Sequence, residues 1–148
     1  MSTAAADDRA LNAVRRVRDS REQDSRFGLQ HALNAVRRRQ TELREARDRR
    51  AAAPSFAFGS TAEFVQHLGQ LAALAEQEAR AAKRVEGSRL VADEATRRWQ
   101  QDRQQVRVVD LLLERRAEVR AEERRRHEAH ELDDLATQSW LRNRQAAS

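Results

Sequence analysis

The chain has 148 residues, read as one domain over 1–148, and carries 28 arginines and one lysine against 24 acids, for a formal charge of +5. Only 4% of its residues are aromatic, and it contains one proline, four glycines and neither cysteine nor tyrosine. A sheet protein, a disulfide scaffold, a cysteine zinc site and thiol catalysis are thereby excluded. The longest run of leucine, valine or isoleucine is Leu111 to Leu113, far short of the roughly 18 apolar residues of a membrane span, and Met1 to Arg9 has no apolar signal core. The chain is therefore expected to be cytosolic on synthesis.

Ala, Glu, Arg, Leu and Gln dominate, which is the composition of long helices and coiled coils rather than of a compact core. The first predicted helix runs from about 8 to 50, with Leu11, Val14, Leu29, Leu33, Val36 and Leu43 as its apolar set. It contains a repeat: Ala10 to Arg16 and Ala32 to Arg38 both read Ala-Leu-Asn-Ala-Val-Arg-Arg. Spaced as two eleven-residue units, the copies are expected to face the same way. The whole charge excess lies in the first 50 residues, which hold 13 basic and 8 acidic side chains.

Residues 51–60 break the pattern. Pro54 removes a helical donor and Gly59 favours a turn. Ser60 with Glu63 three residues on forms a capping box, so the second helix is placed at about 61–141. Its apolar stripe passes through Phe64, Leu68, Leu71, Ala75, Ala82, Val85, Ala92, Trp99, Val106, Leu113 and Ala117, interrupted by Glu78, Arg89, Arg103 and Asp110. Glu76 with Arg80, Glu94 with Arg98 and Glu122 with Arg126 add support at i,i+4.

Two amphipathic helices joined by a short loop predict an all-α fold: an antiparallel coiled-coil hairpin with a C-terminal helical overhang. A fold-back centred near residue 57 sets Trp99 beside Val14 and Arg15. It leaves everything beyond about residue 107 without a partner helix.

Chemistry is sparse. His127 and His130 stand at i,i+3, not the i,i+4 of a helical zinc pair, and read as a solvated face; no phosphate loop or nucleophile elbow is present. No catalytic residue, metal or cofactor is expected. The clusters Arg15-Arg16, Arg37-Arg38-Arg39 and Arg124-Arg125-Arg126 suit phosphates, but acids are interleaved with them, so nucleic acid is a minor alternative. Protein partners suit the pattern better. Phe56, Phe58 and Phe64 gather at the loop, either as a local cap in which Phe58 folds onto the second helix, or as an exposed patch. Phe64, Leu68 and Leu71 follow as a stripe, either packed in the seam or partly bare. Leu132, Leu135, Trp140 and Leu141 mark the overhang.

The run Leu113 to Arg126, leading into His130-Glu131-Leu132-Asp133-Asp134-Leu135-Ala136, is similar to the charged stretch and Glu-Leu-Asp-Glu-x-Ala ending of the FliJ family. The family resemblance extends to the helix–loop–longer helix layout and to Phe64-x-x-x-Leu68 after the loop, although His130 stands where the family often has lysine. It implies a non-enzymatic stalk and general chaperone of the flagellar type III export apparatus. Such a stalk enters the hexameric export ATPase ring, reaches the membrane export-gate protein and handles export chaperones. Its implied place is the cytoplasmic face of the inner membrane at the flagellar base. The resemblance assigns Phe64, Leu68 and Leu71 to the export gate, and Arg15, Arg16, Leu132, Asp133 and Leu135 to the ATPase ring. The alternatives are a YscO-like stalk of a virulence secretion system, an arginine-rich nucleic-acid-binding coiled coil, and a structural coiled coil with no ring partner.

Overall fold

The computed structural model describes residues 2–146, with side chains from Asp8 onward. It contains two helices, α1 (Ser2–Ala51) and α2 (Thr61–Ala146), and no strand among the described residues. Both ends have local causes. At the close of α1 the Ala52 amide donates to the Asp48 carbonyl and the Ala53 amide to the Arg50 carbonyl, and Pro54 then prevents continuation. Arg49 and Arg50 sit in the last turn, where cations complement the helix dipole. At the start of α2 the capping box forms as expected. The Ser60 amide donates to Glu63 Oε2 at 2.6 Å, and the Glu63 amide donates to Ser60 Oγ at 3.3 Å. The Ser60 amide, and then the Ser60 hydroxyl donating to the same Oε2 at 2.9 Å, hold the Glu63 carboxyl below the usual glutamate range. Neither Gly28 nor Gly87 interrupts its helix. Beside Gly87, the Ser88 hydroxyl donates to the Val85 carbonyl at 2.9 Å.

The chain divides into two compact units: Met1–Val17 with Gln105–Ser148, and Arg18–Gln104. Each is an antiparallel helix pair. In the second unit Arg47 and Arg50 meet Glu78, Arg84 meets Glu42, and Trp99 meets Glu22. In the first, Arg15 meets Asp110, and Arg116 and Arg120 meet Asp8. In the second unit protected positions recur at alternating steps of three and four: Arg18, Glu22, Ser25, Leu29, Ala32, Val36, Arg39, Leu43 and Ala46 on α1. On α2 of that unit they are Leu71, Leu74, Glu78, Ala81, Val85, Ser88, Ala92, Ala95, Trp99 and Asp102, and in the first unit Leu11 on α1 goes with Val106, Val109 and Leu113 on α2. Each unit thus has a heptad seam, and within each the facing residues carry numbers that add to about 124.

That register corrects three expectations. The fold-back centre lies near residue 62, not 57, because α2 begins about 13 residues, roughly 20 Å, beyond the level of Ala51, and the loop runs back along it. Trp99 accordingly stands by Glu22 and Ser25, not by Val14 and Arg15. The overhang begins near residue 123 rather than 107: Val109 is buried and Asp110, Arg116 and Arg120 are engaged by α1, whereas 123–146 are exposed throughout.

The internal repeat also behaves differently from its eleven-residue reading. Twenty-two residues overshoot three heptads by one position, so the two copies present different faces. The first places Leu11 in the seam and leaves Val14 exposed; the second buries Ala32, half-buries Val36 and turns Leu33 outward. The buried apolar side chains are small, Ala32, Ala46, Ala81, Val85, Ala92 and Val109, and small seam residues let helix axes approach closely. Glu94 pairs with Arg97 at 3.6 Å rather than with Arg98, while the Glu76–Arg80 and Glu122–Arg126 pairs form as expected.

Candidate functional site

The first candidate surface is the tip of the second unit, made by the loop and the first turns of α2. Because α2 starts beyond the end of α1, only the loop is available to cover these turns. Phe56 does so. Its ring packs on Phe64 with centroids 5.2 Å apart, and on His67 at 5.8 Å. Phe64 is the fourth residue of α2, so Phe56 acts as the hydrophobic staple in the place expected for Phe58. Phe58 instead is 91% exposed. Phe64 and Leu68 remain 43% and 48% exposed, Val65 adds a further bare side chain, and Leu71, level with the end of α1, is half-buried. The stripe is thus shared: Leu71 enters the seam, while Phe64 and Leu68 stay largely at the surface.

The second candidate surface lies in the first unit. Arg15 Nε donates to Asp110 Oδ1 at 2.6 Å, so this arginine joins the two helices, while its neighbour Arg16 is exposed. Leu132 and Leu135 are 66% and 58% exposed, and Asp133 is exposed between them. With Ala129, Ala136 and Trp140 the two leucines share one face of α2, and Leu141 lies on the other. The Arg144 guanidinium stacks over the Trp140 ring at 5.2 Å. The fold does not bring these two sets together, since Leu132 is about 22 residues, roughly 33 Å, along α2 from the level of Arg15.

Among the described residues no group of three or more histidines and acids is placed to hold a metal ion. His127 pairs with Glu131 at 3.3 Å, one turn along the same helix face, rather than converging with His130 on a shared point.

One polar node escaped the sequence reading. Glu22, 8% exposed, occupies a seam position and accepts a hydrogen bond from Trp99 Nε1 at 2.8 Å and from Arg26 Nη2 at 2.8 Å. The Arg103 guanidinium lies over the Trp99 ring, 5.3 Å from its centroid. The indole donor, then Arg26, hold the Glu22 carboxyl below the ordinary glutamate range. The available signal was a single tryptophan in an otherwise alanine-rich seam, since a buried indole N–H requires an acceptor.

Both units are antiparallel helix pairs, the second with a bare tip and the first with an unpaired charged stretch of α2, and this places the chain in the class of all-α coiled-coil proteins. The sequence profile of the flagellar FliJ protein matches residues 7–145, and the chain belongs to that family of flagellar export apparatus components. Neither a curated protein nor a solved structure matches it significantly. No helix among the described residues is long and apolar enough to cross a membrane.

Proposed function

We propose that this chain is the stalk of the flagellar export ATPase, with its overhang entering the hexameric ring and its tip meeting the membrane export gate. The observation that carries the reading is the pair of bare ends on a chain of this family. Residues 123–146 form helix without any α1 residue opposite them, and Phe64 and Leu68 stay open beyond the end of α1. An isolated helix has no seam to bury its leucines, so Leu132 and Leu135 gain most from a partner that surrounds them. The basic block Arg124 to Arg126 and the acidic block Glu128, Glu131, Asp133 and Asp134 around them offer contacts of both signs to several subunits. Arg16 can join such contacts directly, whereas Arg15 acts through its Asp110 pairing. A peripheral position at the inner membrane and the handling of export chaperones belong to the same proposal.

The test is ATP hydrolysis by the same organism's flagellar export ATPase with this chain titrated in, intact or ended at Glu122. Stimulation and ring formation by the intact chain, both lost without 123–148, support the stalk reading. Equal stimulation by both chains moves the ring contact away from the overhang, and none by either overturns the reading. Capture of the gate's cytoplasmic domain by the wild-type chain, reduced in a Phe64→Ala, Leu68→Ala variant, tests the tip.

A further inference from the structure

A seam built on alanine fixes its register weakly, because small side chains fit one another in many alignments. In the second unit a neighbouring alignment is nearly as good as the observed one. If α2 is drawn back by one heptad, facing numbers add to about 117 instead of about 124. Arg39 then faces Glu78, Leu43 faces Leu74, Ala46 faces Leu71 and Ala32 faces Val85. Each of these is an acceptable seam layer, and Glu78 exchanges its present partners Arg47 and Arg50 for Arg39. The connection allows the movement. It now follows α2 for roughly 20 Å, and nine residues span up to about 30 Å, so a shift of about 10 Å shortens its path. The staple and the capping box lie within the loop and α2, and travel with them.

One layer of the second unit does not survive the shift; further along the same two helices Arg15 would face Asp102 in place of Asp110, and Asp8 would part from Arg116 and Arg120, whose arginines are all more than a third exposed. Glu22 would face Ala95, and Trp99 would leave it. A buried carboxylate would then lose its indole donor, and the Trp99 N–H its acceptor. The other interhelix ion pairs of this unit, Arg47 and Arg50 with Glu78 and Arg84 with Glu42, have arginines at least half exposed, and exposed pairs discriminate little. The Ser25 hydroxyl is bonded to the Glu22 carbonyl of its own helix and is indifferent to register.

We propose that the Glu22–Trp99 pair is a register key: it holds the alignment that leaves the first turns of α2 bare, and its loss lets α1 advance by one heptad past Leu71 to the level of Leu68. The pair lies about 43 Å from the end of α1, so a local bond at one level sets how much of the tip is open at another. This holds whatever partner the tip binds.

The chain has no cysteine, so engineered pairs report register without background. In the full-length chain, Ala32→Cys with Ala92→Cys reports the observed alignment and Ala32→Cys with Val85→Cys the shifted one. The parent is expected to cross-link only the first pair. In Glu22→Ala and in Trp99→Phe the ratio of second to first rises about tenfold or more, as expected for loss of a buried hydrogen bond to a charged group. Glu22→Gln still accepts from the indole and keeps the parent ratio. The proposal is overturned if the ratio is unchanged in both variants at parental helicity, or if Glu22→Gln raises it as much as Glu22→Ala. Loss of helicity and of both cross-links in both variants also overturns it, since the pair would then hold the fold rather than choose a register.

Discussion

Gly59 stands so close to Phe56 that a β-carbon at position 59 would lie 3.0 Å from Phe56 Cζ. The same atom would come within 2.8 Å of Glu63 Oε2, the carboxylate that caps α2. Glycine matters here for the room it leaves two side chains rather than for its backbone, since no glycine among the described residues has positive φ.

Gly59→Ala should therefore disturb staple and cap together. The expected loss is about 1–2 kcal/mol, the scale of a lost cap. It is measured by urea unfolding beside a Ser60→Ala chain. A loss smaller than that of Ser60→Ala would show that Phe56 moves aside freely.

The register makes a prediction about truncation. Ending the chain at Glu122 removes exposed helix alone, so the thermal midpoint should stay within about 2 °C of the parent while helical signal falls in proportion. Ending it at Val106 removes buried Val109 and the partners of Arg15 and Asp8, and should lower the midpoint clearly. Equal midpoints for the two truncated chains would contradict pairing beyond residue 107.

Close packing at the alanines is tested by enlargement. Ala81 is 2% exposed and faces Leu43 in the seam, so Ala81→Leu should cost about 1–3 kcal/mol by forcing the helices apart. Ala79→Leu, on the exposed side of the same helix, should stay within about 0.5 kcal/mol of the parent. Denaturant midpoints of the two variants decide the point.

Acid should weaken the pairing. Glu22, Glu42, Glu63 and Glu78 all have carboxyls held below the ordinary value of 4.5 by hydrogen bonds from Trp99, Arg39, Ser60 and Arg50 respectively. A carboxyl lowered on folding contributes stability that is fully present above its unfolded value and lost as pH falls through its folded one. Unfolding midpoints should thus be flat at pH well above 4.5 and decline below it. Trp99→Phe removes the largest cause at Glu22 and should shrink the share lost, provided the comparison is made on chains of equal helicity.

Much of this arrangement was written in the sequence. The Ser60–Glu63 box and Pro54 set the inner ends of both helices, and the seam positions Val85, Ala92, Trp99, Val106 and Leu113 follow from spacing alone. Register did not follow, because a loop's midpoint in sequence is not its midpoint in space. Nine residues running back along α2 moved the fold-back by about five positions and every facing pair with it. The exchange of Phe56 for Phe58 has a similar origin: both phenylalanines precede the cap, and only the path of the loop decides which one reaches Phe64. The Glu22 node was hidden because a polar residue at a seam position reads as a defect in the pattern until its partner on the other helix is known.

The overhang carries a consequence in time. Helix without a seam keeps only its backbone bonds and pairs such as Arg126 with Glu122, and a stretch of this length melts and reforms within about a microsecond. Opening of the paired seam requires buried alanines and Glu22 to part, which belongs to much slower, cooperative events. Amides of 123–146 should therefore exchange with solvent almost as in a free peptide while those around Ala81 and Ala92 stay protected. Any partner that grips Leu132 and Leu135 would be seen first as a slowing of that exchange.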